Sequence, residues 1–312
     1  MEKNLKMKNK IIEGDCLKVL KKMPNESVDC IVTSPPYYGL RDYGVEGQLG
    51  AEKTLEEYIA SMLLITSELK RVLKKGGTMW WNHGDSYAGS NKGAGDKKSD
   101  PKDKNRSRTL KPEHSNIPSK SLMLQGYRLA MRMIDEQGWI LRNQVIWHKP
   151  NVMPSSVKDR LTVDFESVFF FTKDKDYFFE TQYEPLSPVS IERVKYGWKS
   201  KKANASAKGS TVGIDVEEMG ARFANPKGRN KRTVWKIPTS NSQISHVAMY
   251  PEKLIETPIL AGCPQGGVLL DPFFGAGTSG VVAKKLGRKY IGIEINPEYI
   301  KIAKTRIENT KI

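Results

Sequence analysis

The chain has 312 residues, with 51 lysines and arginines against 35 aspartates and glutamates, so its formal net charge is +16. This length is enough to bury a full hydrophobic core, and three unevenly spaced cysteines argue against a disulfide framework. No apolar run approaches the roughly 20 residues that span a bilayer, and the N-terminus lacks the apolar stretch of a signal peptide. We therefore expect a cytoplasmic protein, not bound to a membrane, whose basic surface meets a polyanion such as nucleic acid.

The first half of the chain predicts a core of alternating strands and helices. Pro35 and Pro36 end the second apolar run, because neither a strand nor a helix interior accepts consecutive prolines, and a functional loop therefore begins at Ser34. Gly76 and Gly77 separate a helical pattern from the next apolar run, which predicts a turn there. The predicted strands are 10–12, 28–33, 78–81, 139–147 and 166–172, and the predicted helices are 54–73 and 122–137.

Two segments carry most of the positive charge. Residues 86–120 hold nine basic and four acidic side chains and almost no apolar ones, so we expect a mobile loop that makes contacts and adds little to the core. Residues 193–236 hold twelve basic and three acidic side chains, with isolated aromatic residues among them. The two net charges, +5 and +9, make up +14 of the total of +16. Contact with a polyanion is the favoured interpretation of 193–236, and a merely solvated insertion is the alternative.

The C-terminal part alternates between strand and helix patterns. The predicted strands are 268–270 and 290–294, and the predicted helices are 278–286 and 297–307. Such alternation is typical of an α/β fold with a mostly parallel sheet and helices on both faces.

A glycine-rich turn lies between the first of these strands and the helix that follows it. Gly275, Gly277 and Gly280 have the spacing G-x-G-x-x-G, which lets the backbone approach a ligand closely at a helix N-terminus. Glu294 lies 23 residues beyond Asp271, where an acidic side chain accepts hydrogen bonds from ribose hydroxyls. Only 18 residues follow Glu294, so we expect a cofactor with one nucleoside and a carboxylate tail, and the alternative is a nicotinamide dinucleotide.

The segment Thr33 to Tyr37 has the groups needed to hold an amine on a planar ring. Its two prolines have no amide hydrogens, which leaves the carbonyls of Ser34 and Pro35 as rigid acceptors beyond a strand end. The Ser34 hydroxyl adds another acceptor, and Tyr37 offers an aromatic face for stacking. This combination suits the exocyclic amine of a nucleobase.

Three boxes together resemble a known enzyme family. TSPPY at 33–37, DPFFGAGTSG at 271–280 and GIEINPEY at 292–299 are similar to those of the S-adenosylmethionine-dependent DNA amino-methyltransferases of restriction-modification systems and phages. With the catalytic box first and the cofactor box last, the order matches the circularly permuted beta group of that family. The resemblance covers most of the chain, but not clearly 86–120 or about 176–236.

The resemblance implies a circularly permuted, Rossmann-like methyltransferase fold with an inserted target-recognition region. Residues 1–175 would form the catalytic half, 176–236 the target-recognition region and 237–312 the cofactor-binding half. The implied substrate is double-stranded DNA with a flipped target base. A cognate restriction endonuclease is compatible with this family, and the oligomeric state stays open between a monomer and a homodimer.

The resemblance also assigns roles to individual residues. The residues implied to hold S-adenosyl-L-methionine are Asp15, Asp271, Phe273, Gly275, Gly277, Thr278 and Glu294. Of these, Asp15 would contact the adenine amine, Asp271 would support the loop and Glu294 would hold the ribose, while the others would line the methionine moiety. The catalytic residues that hold the flipped base would be Ser34, Pro35, Pro36 and Tyr37. The candidates for guanine contacts in DNA are Arg222, Arg229 and Arg232.

The cytosine N4 amine is the favoured target. Acceptors on both hydrogens of an amine would localise its lone pair toward the methyl group, so catalysis is mainly a matter of alignment. No Pro-Cys dipeptide occurs, which disfavours C5-cytosine methylation, and the leading Ser34 favours cytosine N4 over adenine N6, the alternative. A catalytically silent DNA-binding module is the lower-ranked alternative. The four scattered histidines lack metal-ligand spacing, and we expect no metal.

Overall fold

A computed structural model describes residues 8–40, 45, 47–89, 117–189, 191–192, 227–240 and 249–311. The chain divides into two compact units, one of Met1–Glu180 with Thr233–Ile312 and one of Thr181–Arg232. The second unit lies within the range 176–236 and is shorter than it at both ends. Among the described residues, no helix is both long enough and apolar enough to cross a bilayer.

Within its described residues, the first unit contains an eight-stranded sheet and six helices. Its strands are β1 Lys10–Glu13, β2 Val28–Thr33, β3 Leu73–His83, β4 Ile140–His148, β5 Phe165–Thr172, β8 Val234–Lys236, β9 Val268–Asp271 and β10 Lys289–Glu294. Its helices are α1 Cys16–Leu20, α2 Leu55–Val72, α3 Gln125–Gln137, α4 Glu252–Gly262, α5 Thr278–Lys285 and α6 Pro297–Glu308. The second unit holds a two-stranded antiparallel pair, β6 Tyr183–Glu184 and β7 Arg229–Asn230.

The sheet is mostly parallel, as the alternating pattern predicted. Its strand order is β1-β10-β9-β2-β3-β5-β4-β8, and only β5 runs antiparallel to its neighbours. From β9 the chain passes through α5 to β10 on one side, and from β2 it passes through α2 to β3 on the other. The boundary between β9 and β2 is therefore a topological switch point, where open α/β sheets form a ligand-binding crevice beyond the carboxyl ends of the strands.

Helices cover both faces of the sheet, because successive strand residues point to opposite sides. Trp81 and Phe169 pack into one core together with apolar residues of α1, α2 and α3. Trp80 and Phe170 pack into the other, with α4 and α5, and their rings stack 4.1 Å apart. The four tryptophans of the predicted strands, Trp80, Trp81, Trp139 and Trp147, are buried, as expected for core residues.

The predicted turn at Gly76 and Gly77 was wrong. Helix α2 ends at Val72 and β3 begins at the next residue, so both glycines lie inside the strand. The pairing of β2 with β3 shifts its register at this point, which makes the glycine segment a bulge. A Cβ on Gly77 would stand 2.9 Å from the carbonyl oxygen of Asp29, so glycine allows β3 to lie close to β2 here.

The second predicted helix starts three residues later than expected. Leu122 forms a bridge with Tyr87, and the amide of Met123 donates to the carbonyl of Ser86. These apolar residues therefore belong to an extended segment, and helix α3 begins only at Gln125. Apolar spacing could not separate the two because Leu122 and Met123 continue the helical pattern.

Candidate active site

Asp271, at the end of β9, connects the two sequence boxes that lie far apart in the chain. Its Oδ1 accepts hydrogen bonds from the hydroxyl of Thr33 at 2.6 Å and the amide of Phe273 at 3.1 Å. Its Oδ2 accepts from the hydroxyls of Ser279 at 2.6 Å and Tyr250 at 3.2 Å. Burial raises the pKa of Asp271, while these donors favour the charged form. One carboxylate thus joins the end of β2 to the glycine turn.

Glu294, at the end of the neighbouring strand β10, holds the glycine turn from the other side. Its carboxylate accepts hydrogen bonds from the amide of Gly275 at 2.7 Å and from the amide of Asn296 at 2.8 Å. The side chain is buried, and burial raises its pKa. Gly275 has a φ of +51°, a left-handed conformation in which glycine carries no steric cost.

A cavity with about 810 Å³ of empty space opens beyond these strand ends. Four of the seven predicted cofactor residues line it, namely Asp15, Phe273, Gly275 and Glu294. Ser34 and Pro36 of the first box form part of the same wall. Asp15 also caps helix α1, because its Oδ1 accepts from the amide of Lys18 at 2.9 Å.

The other three predicted cofactor residues stand behind the turn. Asp271 contacts the loop through the amide of Phe273 and the hydroxyl of Ser279. Gly277 has a φ of +77°, and a Cβ there would stand 2.7 Å from the Cβ of Ala303. The hydroxyl of Thr278 accepts from the guanidinium of Arg306 at 3.1 Å. Gly277 and Thr278 are not among the described residues that line the cavity, and their place beside the methionine moiety stays a prediction.

A second cavity adjoins the first, and Ser34 belongs to the walls of both. It contains two further predicted catalytic residues, Pro35 and Tyr37. The polar residues of this wall include Tyr250 in the segment before α4. Sequence patterns did not single out the others, which lie in β3, directly after β4, in β5 and after β8. They are Asn82, Lys149, Glu166 and Thr239.

Tyr37 is held by its ring and by its hydroxyl. One face stacks on His83 with ring centroids 4.8 Å apart, so His83 covers one of the two faces available for stacking. Its hydroxyl donates to Glu166 at 3.0 Å and lies 3.0 Å from the Ser34 hydroxyl. Burial and the Glu166 carboxylate raise the pKa of Tyr37 far above its usual range, so the phenol keeps its proton.

His83 makes a testable contribution to pH-dependent stability. It is 3 % exposed, and burial lowers its pKa from 6.5 to about 4. Because the pKa is lower in the folded state, the contribution is complete above pH 6.5 and is lost as the pH falls through 4. The unfolding free energy of the wild type should fall between pH 7 and pH 4.5, and we expect this fall to be about 2 kcal/mol smaller in His83→Gln. Urea denaturation at the two pH values measures the difference. His148→Gln is the matched control, since His148 is 36 % exposed; an equal change there would contradict the assignment.

In the second unit, two of the three predicted DNA-contacting arginines converge on one carboxylate. The Nε atoms of Arg229 and Arg232 lie 2.8 and 2.6 Å from Oε1 of Glu184. The third, Arg222, lies outside the described residues. Among the described residues, no cluster of side chains could hold a metal ion.

Comparison with known proteins decides the family. The family model described as DNA methylase, of N6 and N4 methyltransferases, matches residues 28–305. The Type II methyltransferase M.Cfr9I of Citrobacter freundii is 39 % identical over 96 % of this chain and 87 % of its own length. M.SmaI of Serratia marcescens is 39 % identical over 98 % of this chain and 93 % of its own. The chain belongs to this DNA methylase family.

Solved structures share the fold of this DNA methylase at lower sequence identity. The cytosine-N4-specific PvuII DNA methyltransferase aligns with a TM-score of 0.63 and 21 % identity, over 97 % of this chain and 87 % of that one. A Thermus thermophilus protein, described as a putative DNA modification methylase and complexed with S-adenosyl-L-methionine, aligns with a TM-score of 0.56 and 22 % identity, over 97 and 94 %. The predicted Rossmann-like methyltransferase fold is thereby confirmed.

Proposed function

We propose that this DNA methylase transfers the methyl group of S-adenosylmethionine to the N4 amine of a cytosine flipped out of duplex DNA. The observation that carries the proposal is the meeting of two cavities at Ser34, one walled by the glycine turn and the other by Pro35 and Tyr37. A nucleoside cofactor in the first and a nucleobase in the second would come together at that residue.

The residues of the first cavity fit S-adenosylmethionine. Glu294 would accept hydrogen bonds from the ribose hydroxyls, and Asp15 would accept from the adenine amine. Phe273 and the backbone of Gly275 would flank the methionine moiety near the N-terminal end of α5. When bound, this cofactor supplies an electrophilic methyl group on a sulfonium. The solved relative complexed with the same molecule supports the assignment.

In the second cavity, the chain's own groups would prepare the amine. The Ser34 hydroxyl and the Pro35 carbonyl would accept its two hydrogens and so localise the nitrogen lone pair. The face of Tyr37 that His83 leaves uncovered would stack on the base. Because these groups lie at the end of one rigid strand, their main contribution is alignment of the nitrogen with the methyl carbon.

Two observations favour cytosine over adenine. The catalytic box carries a serine, Ser34, directly before its two prolines, and the PvuII enzyme that shares the fold is cytosine-N4-specific. Adenine N6 is the alternative, because its amine presents the same two hydrogens. A silent DNA-binding module is disfavoured by the intact wall that Ser34, Pro35 and Tyr37 provide.

DNA would be held by the basic segments. The permuted order of the boxes would place target recognition in 176–236, with Arg222, Arg229 and Arg232 as candidates for guanine and the lysines on phosphates. Glu184 would hold the guanidinium groups of Arg229 and Arg232 in fixed directions before DNA arrives.

The test of this proposal is the identity of the methylated nucleoside. Phage DNA from a host without methyltransferases is incubated with methyl-labelled S-adenosylmethionine and digested to nucleosides. We expect labelled N4-methylcytosine from the wild type and none from Tyr37→Ala purified in the same way, which controls for contaminating activity. Labelled N6-methyladenine alone would overturn the choice of base, and DNA binding without label would favour the silent module. Long-read sequencing of the same host expressing the chain would then give the recognition site.

A further inference from the structure

The hydroxyl of Ser34 ends a chain of hydrogen bonds that begins at Glu166. Glu166 Oε2 accepts from the hydroxyl of Tyr37 at 3.0 Å and from Nδ2 of Asn82 at 2.9 Å. Its Oε1 accepts from the ammonium of Lys149. The hydroxyls of Tyr37 and Ser34 lie 3.0 Å apart, and Asn82 Nδ2 lies 2.9 Å from the first and 3.3 Å from the second.

The neighbours of the Tyr37 hydroxyl direct its hydrogen and leave it one further acceptor position, which faces Ser34. A carboxylate only accepts, so the single hydrogen of the Tyr37 hydroxyl points to Glu166. The Asn82 amide nitrogen only donates, so it occupies one lone pair of the Tyr37 oxygen. The remaining lone pair of Tyr37 can therefore take only the hydrogen of Ser34. When the Ser34 hydroxyl donates its hydrogen to the Tyr37 oxygen, its Oγ presents a lone pair to the cavity.

We propose that Glu166 is a positioning residue that makes Ser34 an obligatory acceptor for the substrate amine. The inference rests on the proposed function, since it names what orients the group that receives an amine hydrogen. Without an acceptor at Glu166, the Tyr37 hydrogen could turn toward Ser34. The Ser34 hydrogen would then point into the cavity and oppose the amine hydrogens.

Lys149 determines what a neutral substitute at position 166 can do. The Lys149 side chain is 15 % exposed, lies 4.3 Å from the Trp147 ring centroid, and faces Oε1 of Glu166. The side chain of Glu166→Gln has one oxygen instead of two, and the Lys149 ammonium holds that oxygen as its acceptor. The amide nitrogen of the new side chain then faces Tyr37 and donates to its hydroxyl. The Tyr37 hydrogen consequently points to Ser34, and the Ser34 hydrogen points into the cavity.

The test combines single-turnover rates with a rescue. With methyl-labelled S-adenosylmethionine and unmethylated phage DNA, we expect Glu166→Gln to lower the rate of methyl transfer about 10- to 100-fold. The dissociation constant for S-adenosylmethionine, measured by calorimetry, should stay within about twofold, because Glu166 does not line the first cavity. In the double variant Glu166→Gln with Lys149→Met, the amide oxygen is released to face Tyr37, and we expect the rate to recover at least fivefold over Glu166→Gln.

A double-mutant cycle separates positioning from general structural damage. In a Tyr37→Phe background the relay is already absent, so Glu166→Gln should change the rate less than about twofold. The ¹³Cζ signal of labelled Tyr37 in the ligand-free protein, assigned by its loss in Tyr37→Phe, should move in Glu166→Gln and return in the rescue variant.

Failure of this inference and failure of the proposed function give different results. An active wild type with equal rate losses in both backgrounds, or without rescue by Lys149→Met, would overturn the role of Glu166 and leave the proposed function standing. A wild type that transfers no methyl group to DNA would overturn the proposed function, and with it this inference, whatever the NMR signal shows.

Discussion

Replacing Asp271 by alanine is expected to abolish methyl transfer and to lower the unfolding free energy by about 3–5 kcal/mol. The side chain is 2 % exposed and accepts four hydrogen bonds, three from side-chain hydroxyls and one from the amide of Phe273. Its removal leaves buried donors without an acceptor and releases the end of β2 from the glycine turn. Urea denaturation and the labelled-methyl assay measure the two effects.

Asp271→Asn and Asp135→Ala separate the causes of this effect. Asparagine keeps the shape and one acceptor oxygen, so its stability loss should be smaller, while its activity should still fall steeply because the turn and Thr33 no longer share one carboxylate. Asp135 lies exposed on α3, and its replacement by alanine should change stability by less than about 0.5 kcal/mol. Full activity in Asp271→Ala would contradict the role given to this carboxylate.

Glu294→Gln is expected to weaken S-adenosylmethionine binding about 10- to 100-fold. The substitution removes the negative charge and replaces one of two acceptor oxygens by a donating NH2 group. Calorimetry gives the dissociation constant. Burial raises the pKa of Glu294, so affinity in the wild type should begin to fall on acidification at a higher pH than for an ordinary glutamate. The fall in affinity for S-adenosylmethionine comes from protonation of the Glu294 carboxylate, so it should be absent from Glu294→Gln.

Glu298→Gln is the matched control for this variant. Glu298 lies four residues later in the first turn of α6, is 69 % exposed and pairs with Lys301. The same chemical change there should leave the dissociation constant within about twofold. A comparable loss in both variants would show that overall charge, and not the contact at Glu294, sets the affinity.

Local sequence patterns were enough to predict much of the fold and the residues on one side of each cavity. Strands β2, β9 and β10 were predictable because an apolar run ends in each case at a proline, a glycine turn or an acidic residue. Neighbouring parallel strands bring such ends to one edge, which is why Asp271 and Glu294 could be expected near Ser34.

The opposite wall of the second cavity could not be predicted, because it depends on the direction of a strand and no local pattern encodes that direction. Strand β5 runs antiparallel to β3, so its first residues, with Glu166, meet the end of β3 that carries Asn82. A glutamate beside a run of valine and phenylalanine was the only signal for this position. Likewise, the pairing of Arg229 and Arg232 with Glu184 joins residues 45 and 48 positions apart, which spacing cannot reveal.

The hydrogen bond between Thr33 and Asp271 spans 238 positions of the chain, yet it is made between adjacent strands. Nothing in that contact depends on how much polypeptide intervenes or on which partner is translated first. This contact therefore places no constraint on the length of the sequence between Glu180 and Thr233. With the target-recognition role proposed above for 176–236, exchange of that one segment would change the DNA sequence preference while the reacting groups keep their spacing.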